Sequence, residues 1–294
     1  MHSLSVIGGG HVGRALGRLF AQAGAPGRAV APLAAASASA APTAPFELRS
    51  VLARSLASSQ RAVDFIGAGT PADGYAALRP ADVYMLAVGD DQIVPACAAL
   101  AAAVPLQGAI VFHCSGALAS DRLQAARDAG AYVASVHPIR SFADPEAVAA
   151  AFAGTFCGIE GDPQALAVLE PALLAIGARP VAIDAAAKTV YHAAAVFASN
   201  YLTTVLDAAL RAYQAAGIPE ATARELAQPL VTETVANVFR LGAAPALSGP
   251  IARGDMVTVA RQQQAVTQWD APTGELYQAL VAPTVSLARR KHNK

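Results

Sequence analysis

The stretch LSVIGGGHVGRALGRLFAQAG, Leu4–Gly24, decides how the rest of the chain is read. The apolar run Leu4–Ile7 predicts a short β-strand, and the amphipathic spacing after it predicts a helix to about Ala23. Between them lies Gly8-x-Gly10-x-x-Gly13, with His11 and Val12 filling the turn. A GxGxxG triplet carries weight only where it follows a strand and opens a helix, and here it does both. Gly8 then permits the tight turn, Gly10 lets backbone approach a pyrophosphate, and Gly13 lets helix and strand pack closely. The free N–H groups and positive dipole end of the helix would face the phosphates. The expectation is a dinucleotide cradle.

The second strand sharpens that expectation. FELRSVLARS, Phe46–Ser55, reads as a strand that ends in Arg54-Ser55. A cofactor with a free ribose 2′-hydroxyl is usually met there by Asp or Glu, whereas arginine suits a 2′-phosphate. NADP is therefore expected over NAD, the alternative being a surface arginine at a strand end. Residues 25–45, rich in Ala, Pro and Ser without periodicity, read as a surface insertion between these elements.

Further apolar strands follow at Val83–Val88, at Ala109–Phe112 and in AYVASVHPIRSF, each closing on a small polar cluster. TFCGIEGD and ARPVAID look like closing strands, separated by a helical segment. Strands alternating with helices predict a mostly parallel α/β sheet whose ligands bind beyond the strands' carboxyl ends. Val88, His113, Ser115 and His137 fall at such ends and become cleft candidates. Each has a plainer alternative: His113 bonding within its turn, His137 as a loop residue before proline. The histidines and Cys114 match no zinc-ligand spacing, so no metal is expected.

From about residue 185 the strand signals stop and helices take over. This gives an expected division at 184/185, with 1–184 binding the dinucleotide and 185–294 all-helical. AAAKTVYHAAAVFASNY, Ala185–Tyr201, opens the second part and holds Lys188, one of three lysines beside 18 arginines; the other two are Lys291 and Lys294. At about 100° per residue, Lys188 and His192 lie one turn apart, Ser199 falls on their stripe, and Asn200 lies about 120° round. Val190, Ala194, Phe197 and Tyr201 occupy the other side. A lysine drawn into a low-dielectric cleft has its pKa lowered and can donate a proton near neutrality. Its alternative is an ammonium snorkelling to solvent. In LSGPIARGD, Leu247–Asp255, Arg253 could meet a substrate anion, and Asp255 could either join it or cap the next helix.

Composition sets the outer bounds. The 294 residues are 54% hydrophobic and 14% charged with zero formal net charge. The low charge predicts a large core and a further surface buried between subunits, and the neutral balance gives no electrostatic case for nucleic acid or an anionic membrane. Three scattered cysteines make no disulfide framework, and the first residues lack a signal-peptide pattern. Residues 189–210 approach membrane-span hydropathy, but His192, Asn200, Thr203, Thr204 and Asp207 interrupt the run, so a buried core helix in a cytoplasmic protein is expected.

Taken in order, VIGGGHVGRAL, FHCSGAL, SVHPIRSF, AAAKTVYHAAAVFASNYL and LSGPIARGD make the chain resemble a family of uncharacterised bacterial Rossmann-like oxidoreductases of the 6-phosphogluconate dehydrogenase superfamily. Wider relatives include ketopantoate reductase, pyrroline-5-carboxylate reductase and deazaflavin-dependent NADP oxidoreductases. The resemblance implies a doubly wound NADP domain followed by an all-α dimerisation domain, working as a homodimer on a small carbonyl, hydroxyl or imine substrate. It implies Lys188 as general acid, matching a lysine on the first long helix of the second domain in such enzymes. They carry asparagine four residues later, where this chain has His192. His192 and Asn200 would then orient the substrate. The alternative is a non-catalytic NADP-binding sensor, in which Lys188 would pair with a structural carboxylate.

Overall fold

The computed structural model describes residues 1–22 and 46–292, so the expected insertion at 25–45 lies outside the described residues. By contacts the chain divides into two compact units, Met1–Phe197 and Ala198–Lys294. That division falls beyond the expected 184/185 boundary. The first helix after the last strand keeps its contacts with the sheet unit, although its sequence reads like the helical part.

The first unit is built on one sheet. Its strands are β1 (His2–Ile7), β2 (Phe46–Leu52), β3 (Thr70–Ala72), β4 (Val83–Leu86), β5 (Ile110–His113), β6 (Tyr132–Pro138), β7 (Phe156–Gly161) and β8 (Arg179–Ala182). They lie in the order β3-β2-β1-β4-β5-β6-β7-β8. Every neighbouring pair is parallel except β6 and β7, which run antiparallel. The expected mostly parallel, doubly wound sheet is present.

Parallel strands need crossovers, and the chain supplies α1 (His11–Gln22), α2 (Leu56–Ile66), α3 (Asp90–Ala103), α4 (Gln124–Asp128), α5 (Pro145–Ala150) and α6 (Pro163–Ala175). Coverage of both faces explains why the inner strands read as continuous apolar runs rather than alternating ones. On β4 all four residues are buried. Val83 and Met85 pack to one side with Leu16 and Phe20, while Tyr84 and Leu86 pack to the other with Ile93 and Leu100. Each such large side chain contributes roughly 1.5–3 kcal/mol relative to exposure.

The expected second strand ends three residues early, at Leu52, because Ser55 is taken as the N-cap of α2, its Oγ accepting from Ser58 N. After β8 comes α7 (Lys188–Val196), then a single π-helical turn over Phe197–Tyr201.

The second unit holds α8 (Leu202–Ala215), α9 (Glu220–Leu241), α10 (Ala243–Ala246), α11 (Met256–Trp269) and α12 (Ala271–His292). Arg211 ties it together. Its guanidinium reaches Asp207 (3.0 Å), Asp270 (3.4 Å) and Thr273 Oγ1 (2.9 Å), and lies over the Trp269 ring. Its small buried set includes Ala223, Ala227, Val259 and Ala288, while Phe239 is 86% and Val257 72% exposed. The expected buried core helix is corrected here. Ala185–Ala215 is long and apolar enough to cross a membrane by length and composition, and its most apolar window is unburied within the single chain.

Candidate functional site

A cleft of about 950 Å³ opens at the carboxyl ends of β1, β2 and β4. Its floor is Gly8, Gly9 and Gly10, its far wall Ala87, Val88 and Gly89. Gly8 sits at φ 121°, and a Cβ there would collide with the Ala87 carbonyl. A Cβ on Gly13 would collide with the Gly8 carbonyl oxygen, so this glycine sets how closely α1 approaches β1. Above Gly10 nothing lies within 4 Å of where a Cβ would be. The three glycines therefore divide as their spacing implies: a turn, an open approach and a close packing.

One rim of the cleft is basic. Arg54, Ser58, Arg61 and Arg14 line it together, and Arg61 donates to Ser58 Oγ at 2.8 Å. This donor set fits a phosphate at the adenosine end of a dinucleotide. Arg54 stands where the sequence put it. Ser55 does not, being spent on capping α2. His11 is drawn away to the Phe142 carbonyl (2.5 Å) and Val12 packs against the core. Ser58 and Arg61 escaped the sequence reading, although a Ser-x-x-Arg pair in the opening turns of one helix shares a face.

At the carboxyl ends of β5 and β6 the polar residues meet one another instead of a cleft. Lys188 is 1% exposed. Its Nζ donates to the Ser115 carbonyl (3.0 Å) and to Ser135 Oγ, and lies 3.8 Å from Glu160. Glu160 in turn accepts from Ser120 N (2.8 Å) and Ser120 Oγ (2.7 Å). Burial lowers the Lys188 pKa, and Glu160 opposes that shift. Such an enclosed ammonium has no face for a substrate. The expectation that Lys188 lines a cleft is corrected: the lysine is held by a structural carboxylate.

Ser115 belongs to the same enclosed network rather than to the cofactor cleft. Its Oγ accepts from Ala117 N and Leu118 N, which turns the loop after β5. His113 is fully buried; its Nδ1 accepts from Ser115 N (3.2 Å) and its Nε2 donates to the Ala119 carbonyl (3.0 Å). Burial pushes its pKa down to about 4, so it is a neutral turn residue and not a cleft group.

His137 and His192 come together beside this network. Their ring centroids are 5.5 Å apart, and His137 Nδ1 shares a 2.8 Å hydrogen bond with the Tyr191 hydroxyl. Burial, then His192 and Lys188, pushes His137 down to about 4; burial pushes Tyr191 up to about 12. Both imidazoles pack onto Gly116, where a Cβ would strike them, and Tyr191 packs onto Gly158, the β7 residue paired with His137. Tyr191 was missed because it reads as one more apolar-helix aromatic.

The remaining candidates lie in the second unit. Ser199 and Asn200 fall in the π-helical turn, where five residues no longer advance at 100° each, so the stripe drawn from Lys188 does not extend to Ser199. Both side chains are exposed, and their carbonyls accept from Thr203 and Thr204. Arg253 lines a hollow of about 590 Å³ with Ile251, Met256, Val285 and Arg289. Asp255 caps α11, its Oδ1 accepting from Thr258 N at 3.0 Å, so the capping alternative holds for it. Among the described residues no group of three or more His, Cys, Asp or Glu is gathered as metal ligands.

Residues 155–284 match the family model described as a domain of unknown function, DUF2520. The fold is similar to that of a Thermotoga maritima protein (TM-score 0.70, 23% identity, covering 98% of this chain and 99% of that one). It is similar to a candidate NADP oxidoreductase from Bacteroides fragilis (0.74, 18%, 100% and 98%). It is also similar to a reductive aminase from Aspergillus terreus in complex with NADPH and ethyl-5-oxohexanoate (0.68, 16%, 99% and 94%). No curated protein matches the sequence. The matches bear out, at the level of fold, the resemblance to a Rossmann-like oxidoreductase family.

Proposed function

We propose that the chain is an NADP-dependent oxidoreductase acting on a small carbonyl, hydroxyl or imine compound. The observation that carries this is the cleft in which an open glycine turn faces a rim of Arg54, Ser58 and Arg61. A fold shared with a reductive aminase seen with NADPH supports the same reading. When bound, the nicotinamide would supply or accept hydride. The protein's own part begins with charge: the arginines would hold a ribose 2′-phosphate through charge-assisted bonds, each worth about 1.5–3 kcal/mol. Gly8 and Gly10 would admit the pyrophosphate against the start of α1.

Lys188 would act from behind the site. By bonding the Ser115 carbonyl and Ser135 it fixes the loop that carries Gly116, without touching substrate. Its pairing with Glu160 also favours a second reading, a non-catalytic NADP-binding sensor. The two readings separate on turnover: both require NADPH binding, and only the first requires NADPH oxidation with small ketones or cyclic imines. Isothermal titration with NADPH and NADH tests their common premise, and absence of binding by both cofactors removes both.

The chain would work as a homodimer in the cytoplasm. Val190 (76% exposed), Phe239 and Val257 make apolar surface that a second copy would cover. A bilayer suits it less, because Lys188, Asp207 and Arg211 lie within Ala185–Ala215, and a charge at mid-membrane costs about 2.5–3.5 kcal/mol. Light scattering of the purified chain should give twice the 29.7 kDa monomer mass.

A further inference from the structure

A polar cluster that neither the cofactor cleft nor the Lys188 network uses lies against Gly116. His192 Nδ1 is buried and has no hydrogen-bond partner among the described residues. It turns toward Gly116, and so does His137 Nε2, which lies 2.7 Å from the point a Cβ of Gly116 would occupy. Any larger residue at 116 would strike both rings, so the glycine lets the two nitrogens approach the loop after β5 side by side. A carboxylate would ordinarily orient such a histidine; here Tyr191 occupies that place on His137 Nδ1. The nearby charges are Lys188, at the start of the same helix α7, and Asp90 at the start of α3. This balance disfavours a cation and suits a hydrogen-bond acceptor.

Placement adds a second argument. The cleft wall at Ala87 and Val88 follows β4, which pairs directly with β5, and β5 with β6. At about 4.8 Å per strand, His137 at the end of β6 lies about 10 Å along the sheet from β4. A dinucleotide anchored by Arg54 beyond β2 therefore extends toward the imidazoles with its other end.

We infer that His137 and His192 form the polar pocket for the substrate heteroatom, with Tyr191 relaying a proton to it through His137. This rests on the oxidoreductase reading and names its acid. The imidazole is neutral, so it acts as a shuttle and not as an imidazolium. His137 Nε2 gives its proton to the oxygen or nitrogen of the substrate, while the Tyr191 hydroxyl proton moves to Nδ1. One N–H and one O–H bond break and one X–H and one N–H bond form; when solvent reprotonates Nε2, the Nδ1 proton returns to the tyrosinate and the starting tautomer is restored. His137 and His192 touch the substrate; Tyr191 acts through His137.

The test needs no known substrate. Histidine-ring ¹⁵N spectra of the full chain are recorded alone, with NADP⁺, and with adenosine 2′,5′-bisphosphate, which carries the phosphates but no nicotinamide. The expected result is a neutral His137 protonated on Nε2 at pH 7, with ring signals of His137 and His192 shifting with NADP⁺ and unmoved by the bisphosphate, although both bind. Tyr191→Phe, which keeps the aromatic packing, should move the His137 proton between its two nitrogens and leave NADP⁺ affinity within twofold. Binding of both ligands with identical or absent ring shifts, or a His137 tautomer indifferent to Tyr191→Phe, overturns the inference alone. Failure of both ligands to bind overturns the oxidoreductase reading and the inference with it.

Discussion

The two halves of the sheet end in similar sequence and opposite structure. Beyond β1, β2 and β4 the small and polar residues face a cleft, and Arg54 and Arg61 present their charge to it. Around the end of β5 and on β6 and β7, Ser115, Ser120, Ser135, Glu160 and Lys188 are buried and bonded to one another. A polar cluster at a strand end thus marks either a binding surface or a buried network. What separates them is whether the cluster holds its own counter-charges. Among the described residues the carboxylate that lines the arginine cleft, Asp73, is exposed, whereas the one that faces Lys188, Glu160, is buried with it.

The largest expected effect comes from breaking the enclosed half. Lys188→Met leaves Glu160 as a buried charge without its cation and should cost about 3–5 kcal/mol in urea unfolding. Arg61→Ala, on the exposed rim, should stay within about 0.5 kcal/mol of wild type in the same experiment. Equal effects of the two would erase the distinction between the halves.

Acid gives the next largest. His113 titrates near 4 when folded against 6.5 as its ordinary value, so the unfolded chain binds more protons between those pH values. The stability this histidine contributes is therefore complete above pH 6.5 and is lost as pH falls toward 4. The loss from this one group should be roughly 2 kcal/mol between pH 7.5 and 5. Urea midpoints at the two pH values measure it, and His113→Gln should remove its share, leaving the similar contribution of His137.

The glycines sharpen the contrast within the open half. Gly13→Ala forces α1 away from the Gly8 carbonyl and should cost about 1–3 kcal/mol of stability. Gly10→Ala meets open space and should leave the melting temperature nearly unchanged while weakening NADPH binding about tenfold or more. Thermal melts with and without NADPH separate the two.

The fold was legible almost throughout, because it depends on local signals: a strand–glycine–helix opening, successive apolar strands, then helices broken only at glycine- and proline-bearing stretches. The cleft was half legible. Gly8, Gly10 and Arg54 carry a fixed spacing, while Ser58 and Arg61 acquire meaning only once Ser55 is known to start a helix. The Lys188 network was illegible for a physical reason. Glu160 and Ser135 lie on β7 and β6 and reach the lysine only through the antiparallel pairing of those strands. Ser199 was misplaced because a π-helical turn cannot be read from a 100° wheel.

The central claim, that the cleft beyond β1, β2 and β4 binds NADP through its arginine rim, is tested most directly by calorimetric titration. NADPH and NADH are titrated into the wild-type chain and into Arg61→Ala. The account predicts that NADPH binds wild type at least tenfold more tightly than NADH, about 1.4 kcal/mol, and that Arg61→Ala removes most of that preference. Equal affinities for the two cofactors in wild type, or a preference for NADPH untouched by Arg61→Ala, would contradict it.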